Sequence, residues 1–405
     1  MDPDAESEGG IWGEAVGSPR PSNSERKRTQ YRKQGERTMR NNSFHLRRRH
    51  FLGATLAAGA LGAARVQAAP ALPDIKSVPE ALKGSGEVRV VGYGGAMQEA
   101  QQRAYFDSFE QLCGIKVRAI PGADTAKVKA MVDTGNVEWD VVQLSRASVL
   151  RLNKLGIYWE HIDYGLVDVG NIDPVYRHDM ALDMLPYANV LAYRTDVFKD
   201  KVPQSWVDFW NLSAFPGPRT MVGATSNSPE LEFALLADGV PLDKIYPIDI
   251  DRAFKSYEHI KSSVVKWWET GAVPAQMLSD KEVVLATAWN GRISAIQDQG
   301  APVAVQFNQG RLARDAWTVP KGAPNRVNAM KFIGFSTLPV TAARLSMLIP
   351  YGFTNKKAAE FLPADRLAVL PTAPAIQAKM VPYDYDWWAE NQPAVVARWN
   401  QWILG

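Results

Sequence analysis

A single cysteine, Cys113, stands among 405 residues. It excludes an internal disulfide framework and any thiolate-rich metal site. Histidine is almost as scarce: the five present include no close pair that would set two imidazoles on one helical face, which argues against a classical zinc centre. Charge of one sign is missing too. The formal net charge is +3, but residues 1–68 hold 12 Lys+Arg and 7 Asp+Glu, leaving 34 basic and 36 acidic residues for 69–405. A body so balanced has no basic stripe for a phosphate backbone, and nucleic acid is not expected as a partner. No G-x-S-x-G elbow, H-E-x-x-H or P-loop occurs, and no pair of carboxylates forms a recognisable acid/base motif. These absences point away from an enzyme, and no metal or cofactor is expected. Gly92-Tyr93-Gly94-Gly95 starts like a dinucleotide fingerprint but has Met97 where the third glycine belongs. It reads better as a tight turn that lets a ligand approach the backbone, or simply as a turn.

What is present is a core. Apolar residues make up 46% and charged residues 22%, ample for a soluble chain of two domains. The N-terminal part differs. Residues 1–38 are polar, rich in Ser, Arg and Glu, and read as a disordered extension. Arg47-Arg48-Arg49-His50-Phe51-Leu52 opens a short apolar run to Ala64, ending at the small-residue site Val66-Gln67-Ala68. The run is too short to span a bilayer, so 39–68 reads as a secretory signal. Its Arg48-Arg49-His50-Phe51-Leu52 core resembles a twin-arginine signal; an ordinary Sec signal with extra arginines is the alternative. Met39, just ahead, is a candidate translation start. A linker is expected over 69–86, and a periplasmic protein follows from the signal.

From Glu87 onward, strands and helices alternate. The pattern predicts strands at Glu87–Val91, Ile115–Ile120, Trp139–Leu144, Met184–Tyr193, Thr220–Gly223, Val283–Trp289, Val303–Phe307 and Ala316–Val319. Apolar steps of three and four predict helices between them, including a long one through Ala253, Tyr257, Ile260, Val264 and Trp267 and another over Trp388–Ile403. Such alternation implies a parallel sheet covered on both faces. Open α/β sheets bind ligands beyond the carboxyl ends of their strands. Tyr93–Gly95, Ser145–Arg146, Ser226–Ser228, Trp289–Arg292 and Asp315 are therefore the candidate positions. Trp289 ends a strand directly before a turn, unlike the rings on helical stripes that read as core. Asp315 has Arg311 and Arg314 close in sequence, so a structural salt bridge competes with a ligand role.

Several segments carry a resemblance. They are Phe109-Glu110, Gly114-Ile115-Lys116-Val117, Trp139-Asp140-Val141-Val142, Leu185-Pro186-Tyr187, Pro203-Gln204-Ser205-Trp206-Val207-Asp208-Phe209-Trp210, Trp289-Asn290-Gly291, Asp315-Ala316-Trp317-Thr318-Val319-Pro320 and Tyr351-Gly352-Phe353. Their order and spacing resemble the polyamine-type (spermidine/putrescine) extracellular solute-binding proteins of ABC importers, from about Val88 to the C-terminus. The resemblance implies a two-lobed, type II periplasmic-binding-protein-like α/β fold. Lobe 1 would span 87–192 plus 313–362, and lobe 2 193–312 plus 363–405, joined by hinge strands. It implies a monomer that captures a small amine in the cleft and hands it to a membrane permease driven by ATPase subunits. Carried over position by position, Ser145, Trp289 and Asp315 would hold the ligand, with Tyr351 and Tyr93 as further contacts. Departures accompany them. Asn227 stands where amine binders have an anchoring aspartate, with Glu230 kept nearby. Ala147 and Ala313 replace rings, and Gly94 replaces an indole. Arg146 and Arg292 are added beside the loops. Fewer rings and one carboxylate fewer disfavour a di-cation. Two ligand classes therefore stay open: a polyamine, and a carboxylated or zwitterionic amine that could use an arginine. An exported enzyme on the same fold, or an iron binder using the tyrosines, are the more distant readings.

Overall fold

The computed structural model describes residues 71–224, 228–381 and 383–405. The expected extension over 1–38, the start at Met39, the export signal over 39–68 and Asn227 lie outside the described residues. Nine strands form one mixed sheet: β1 (Glu87–Gly92), β2 (Lys116–Pro121), β3 (Val141–Ser145), β4 (Arg177–His178), β5 (Ala181–Arg194), β6 (Arg219–Val222), β7 (Val264–Trp268), β8 (Leu285–Trp289) and β9 (Val303–Thr318). Their order is β2-β1-β3-β9-β5-β8-β6-β7, with β4 paired to β5.

The sheet is parallel at both ends and antiparallel in the middle. β1 pairs in parallel with β2 and β3, and β6 with β7 and β8. Between these blocks, β5 and β9 run antiparallel to each other and to their neighbours. The all-parallel expectation is thus corrected at the centre. β5 and β9 are 14 and 16 residues long, about twice the common strand length, and reach from one block into the other. The two strands expected at Val303–Phe307 and Ala316–Val319 are one. Half-polar Asn308–Arg314 between them conceals the continuity: Gln309, at φ 61°, sits where the β5–β9 register shifts, and Arg311 and Arg314 line the cleft while Leu312 packs with Ala188 and Val190.

Each end has its own apolar interior. One face of the β2-β1-β3 block buries Val88, Val90, Phe106, Phe109, Trp317, Phe332 and Phe335, and the other buries Val142, Val149, Trp159 and Ala316. The β8-β6-β7 block packs Met221, Phe233, Phe254, Tyr257, Trp388 and Trp399 together, and Ala286, Ala288 and Ile293 opposite. Two separate cores joined by a strand pair give two lobes. Leu362, Leu367 and Leu370 pack with Ala342 and Ala343 in a small satellite cluster.

Two local expectations change. The long helix through Ala253 and Trp267 is instead a helix, Ile250–Glu258, capped by Asp249, then a 3-10 turn and β7. The apolar spacing misleads because Trp267 packs on Trp399 with ring centroids 4.9 Å apart, on the side that Tyr257 also faces at 6.0 Å. A β-branched Val264-Val265 pair favours strand there. The expected linker is attached from Pro73 onward: Leu82 is buried in the first core, Ile75 and Val78 pack against it, and Arg344 donates to the Pro73 carbonyl at 2.9 Å.

A candidate ligand site at the crossing strands

The strand-to-helix loops that local chemistry shapes most tightly are those after β3 and β8. Ser145 ends β3 and caps the helix Arg146–Asn153, its hydroxyl accepting from the Ser148 amide at 3.2 Å. After β8, each residue of Trp289-Asn290-Gly291 has a separate task. The Trp289 ring lies flat on Gly271, where a Cβ would come within 2.2 Å of it. Asn290 is buried: it accepts from the Ala188 amide at 3.0 Å and donates to the Pro350 carbonyl at 2.7 Å, tying the turn to β5 and to the 350 loop. Gly291 leaves room for the Tyr351 ring, which a Cβ would meet at 2.6 Å. After β1, Gly94 adopts φ 77°, in the left-handed region that a side chain disfavours.

These loops border a pocket of ≈ 610 Å³, counted out to solvent. The first lobe contributes Ser145, Ser148 and Arg151. β5 and β9 contribute Tyr187, Asn189, Arg311 and Arg314. Trp289 comes from the far side, and Tyr383, Tyr385 and Gln392 from the start of the C-terminal helix Tyr385–Leu404 and the turn before it. Such a mixture of rings and a few convergent polar groups suits a small molecule.

Asp315 does not line this pocket, but its charge reaches Tyr187, which does. The β3–β9 register sets Asp315 opposite Ser145, and the β5–β9 register opposite Leu185. It is only 5% exposed and forms no ion pair among the described residues. Its one hydrogen bond there is accepted from Gln143 Nε2 at 2.7 Å. Burial pushes its carboxyl up to about 7, with the Gln143 bond opposing and Asp183 adding to the rise. Three phenols feel its charge: Tyr93, Tyr187 and Tyr351. All three are raised above the ordinary tyrosine range, first by burial, so each stays a protonated donor at neutral pH. Tyr187 links this group to the pocket. Its ring meets Trp289 at 6.0 Å and Tyr351 at 5.9 Å.

The guanidinium groups divide sharply by partner. Arg146 is buried and held by Asp183 at 2.8 Å, with a further bond to the Tyr176 carbonyl. Arg314 pairs with Asp183 at 3.5 Å, and Arg311 with Glu232 at 3.0 Å. The competing salt bridge from Arg311 or Arg314 to Asp315 is therefore not formed. Arg151 lines the pocket and, among the described residues, bonds only to neutral groups, Gln392 and Ser148. Desolvation lowers its pKa, with the Tyr383 phenol opposing.

Among the expected positions, Ser145 and Trp289 line the pocket. Asp315, Tyr93 and Tyr351 gather near Tyr187, although Tyr93 leaves 43% of its surface exposed while its phenol hydrogen-bonds the backbone of Ser145. Glu230 is fully buried one layer back, accepting from Asn189 at 3.0 Å and pushed up to about 7 by burial. Arg146, read as a possible ligand contact, is used by Asp183. Arg292 is half-buried near Gly95 and Tyr351, with no ion pair or hydrogen bond among the described residues. Sequence reasoning missed Arg151, Tyr187, Tyr383, Tyr385 and Gln392. Tyr187 had a signal, since it closes the Leu185-Pro186-Tyr187 segment.

A two-lobed sheet with crossing strands and a ring-lined cleft defines a solute-binding architecture. The chain belongs to the family of bacterial extracellular solute-binding proteins, whose model matches residues 104–378. It is 36% identical over 327 residues to the gamma-aminobutyric acid-binding protein of Pseudomonas aeruginosa, covering 78% of this chain and 91% of that protein. It is 25% identical over 273 residues to the spermidine/putrescine-binding periplasmic protein 1 of Haemophilus influenzae, covering 64% and 74%. An ABC transporter substrate-binding protein from Bradyrhizobium japonicum superimposes with a TM-score of 0.74 at 37% identity, over 78% of this chain and 99% of its own. The type II binding-protein fold, the polyamine-type resemblance and the role of solute-binding component of an ABC importer, working outside the cytoplasmic membrane, therefore stand.

Proposed function

We propose that the chain captures a small zwitterionic amine of the ω-amino-acid type rather than a polyamine. One observation carries this reading. Among the described residues at the cleft, Asp315 is a buried carboxylate with no cation, and Arg151 a desolvated guanidinium with no anion. An unpaired carboxylate together with an unpaired, desolvated guanidinium, with Arg292 among the described residues a second free cation near Tyr351, fits one ammonium and one carboxylate, because each desolvated ion needs a partner. A di-cation would need a second free carboxylate. Glu230 is a poor one, since Arg311 lies in its field and Asn189 occupies one of its oxygens. The gamma-aminobutyric acid-binding relative points the same way.

In this reading Asp315 accepts from the ammonium, with Tyr93, Tyr187 and Tyr351 around it. Trp289 stacks on the alkyl chain. Arg151, Ser145 and Ser148 take the carboxylate, and Asn227 and Glu230 act from the second lobe. Lobe 1 comprises about 87–192 plus 313–362, and lobe 2 about 193–312 plus 363–405. The packing of Leu367 and Leu370 with Ala343 supports a last crossing a few residues past 362. The ligand favours closure because only the closed form touches it from both sides. Closure also joins Arg151 to Gln392 and Lys154 to Glu390. The protein acts as a monomer, leaves its ligand intact, and delivers it to a permease with ATPase subunits. Export uses the twin-arginine signal, so lysine at Arg48 and Arg49 is expected to stop it.

Calorimetry with 4-aminobutyrate, butyrate, butylamine and putrescine tests the reading. 4-Aminobutyrate is expected to bind best and to be recovered unchanged. Tighter binding of putrescine would restore the polyamine assignment, and a new product in the recovered material would make the protein an enzyme.

A further inference from the structure

Asp315 ends a short line of buried amides. Gln101, the last residue of the helix Gly95–Gln101, donates from Nε2 to Gln143 Oε1 at 2.8 Å. Gln143, on β3, donates from its own Nε2 to Asp315 Oδ2 at 2.7 Å. Both glutamines are buried, 1% and 0% exposed. With Asp315 ionised, the form that an ammonium needs, the direction is set: the carboxylate only accepts, so Gln143 turns its NH2 toward Asp315. That leaves its oxygen for Gln101, which must then offer its NH2.

Two further observations mark the pair as built for a purpose. Gln143 interrupts the apolar run Val141, Val142 and Leu144, where a buried amide is costly unless bonded at both ends. Gly92, at the end of β1, is bare where a Cβ would stand 3.3 Å from Gln101 Oε1 and 3.5 Å from Gln143 Oε1. Its φ lies outside the left-handed region, so what a side chain there would press on is the Gln101 amide, with Gln143 in ordinary contact.

We propose that Gln101 and Gln143 are positioning residues for amine capture: a one-way amide relay that aims one neutral N–H at Asp315, favouring its anionic form while leaving its charge for the ligand. This rests on the reading in which Asp315 takes the ammonium. A lysine or arginine in place of Gln143 would favour the anion more strongly, but would occupy the position that the ligand's ammonium must fill. An apolar residue would leave the carboxyl protonated in its buried setting. A neutral donor avoids both. The other groups facing Asp315 do not supply this. Asp183 on β5 opposes ionisation, with its own charge held by Arg146 and Arg314. Tyr93, Tyr187 and Tyr351 lie in its field, but among the described residues none donates a hydrogen bond to it.

The test compares the wild type with Gln143→Met and Gln101→Met, which keep approximate volume and remove the polar groups. The Asp315 carboxyl is titrated by carbon NMR without ligand, and 4-aminobutyrate affinity is followed across pH by calorimetry. Gln143→Met is expected to raise the titration midpoint by about one pH unit or more. It should move the rising limb of affinity upward with it, so that affinity falls about tenfold more near pH 6.5 than near pH 8.5. Gln101→Met, which does not touch Asp315, should move both the same way by less, and keeps the test available should Gln143→Met not fold. An unshifted midpoint with affinity lowered equally at every pH would overturn the relay and leave a packing role. A shifted midpoint in a protein that binds no 4-aminobutyrate would support the relay and overturn the ligand assignment alone.

Discussion

Asp183 and Asp315 lie on the neighbouring strands β5 and β9, and both are buried, yet their surroundings are opposite. Two guanidinium groups face Asp183, at 2.8 Å from Arg146 and 3.5 Å from Arg314. Asp315 has one neutral amide. The contrast is repeated on the other side of the cleft. Glu232 accepts from Arg311 at 3.0 Å, Trp388 at 2.8 Å and the Tyr246 hydroxyl at 2.6 Å. Glu230, two residues earlier, has Asn189 at 3.0 Å, with Arg311 acting on it only through its field. In each pair one carboxylate is compensated and holds the fold, and the other is left short of positive charge. A buried anion without a cation costs stability, so its retention is sensible where a cation arrives later. The unmatched groups, more than the pocket's shape, support the proposed ligand chemistry.

That contrast can be broken in order of expected effect. Arg146→Met should destabilise the fold by about 3–5 kcal/mol, because it strands Asp183 with a single, longer contact. Denaturant unfolding would measure it, and a loss below about 1 kcal/mol would mean Asp183 is not a structural anchor. Asp315→Asn should do the reverse to stability while lowering 4-aminobutyrate affinity at least tenfold and toward about a hundredfold by calorimetry. The sign follows from linkage. The folded Asp315 carboxyl titrates at about 7 against 3.8 when exposed, so the stability it gives is full below about pH 4 and lost as pH rises toward 7. Glu230, raised from 4.5 to about 7, acts in the same sense. The ligand-free Asn variant should therefore melt higher than the wild type near pH 8, with the difference vanishing near pH 4. Arg151→Met should weaken 4-aminobutyrate about tenfold but leave butylamine nearly unchanged, since only the former carries a carboxylate for the guanidinium. Smallest is Glu390→Gln. Its partner Lys154 is 3.2 Å away, and both are well exposed, so affinity should change by less than about 1 kcal/mol.

The strand ends that carry the site were legible because the chemistry there is local. Ser145 caps a helix directly after an apolar strand, and Trp289-Asn290-Gly291 turns a strand into a helix. What was not legible depends on chain segments that meet only after folding. Arg146 looked available beside a pocket loop, yet it is used by Asp183, 37 residues away. Arg311 and Arg314 looked like partners for Asp315, yet β9 delivers them to Glu232 and Asp183. Arg151 and Gln392 are 241 positions apart, and nothing local marks either. Gln143 did carry a signal, a lone amide within an apolar strand, which gained meaning only beside Gln101. The 253–267 stripe failed for a related reason. Helix spacing and strand alternation can both turn rings toward one core, and the last helix supplies that core.

The most direct test removes the ammonium from the ligand and the charge from residue 315 separately and together. Affinities of 4-aminobutyrate and butyrate for the wild type and for Asp315→Asn close a four-way cycle. With Asp315 as the ammonium's partner, the amine improves binding at least tenfold in the wild type and adds almost nothing in the variant, a coupling of about 1.4 kcal/mol or more. An equal benefit from the amine in both proteins would contradict the account.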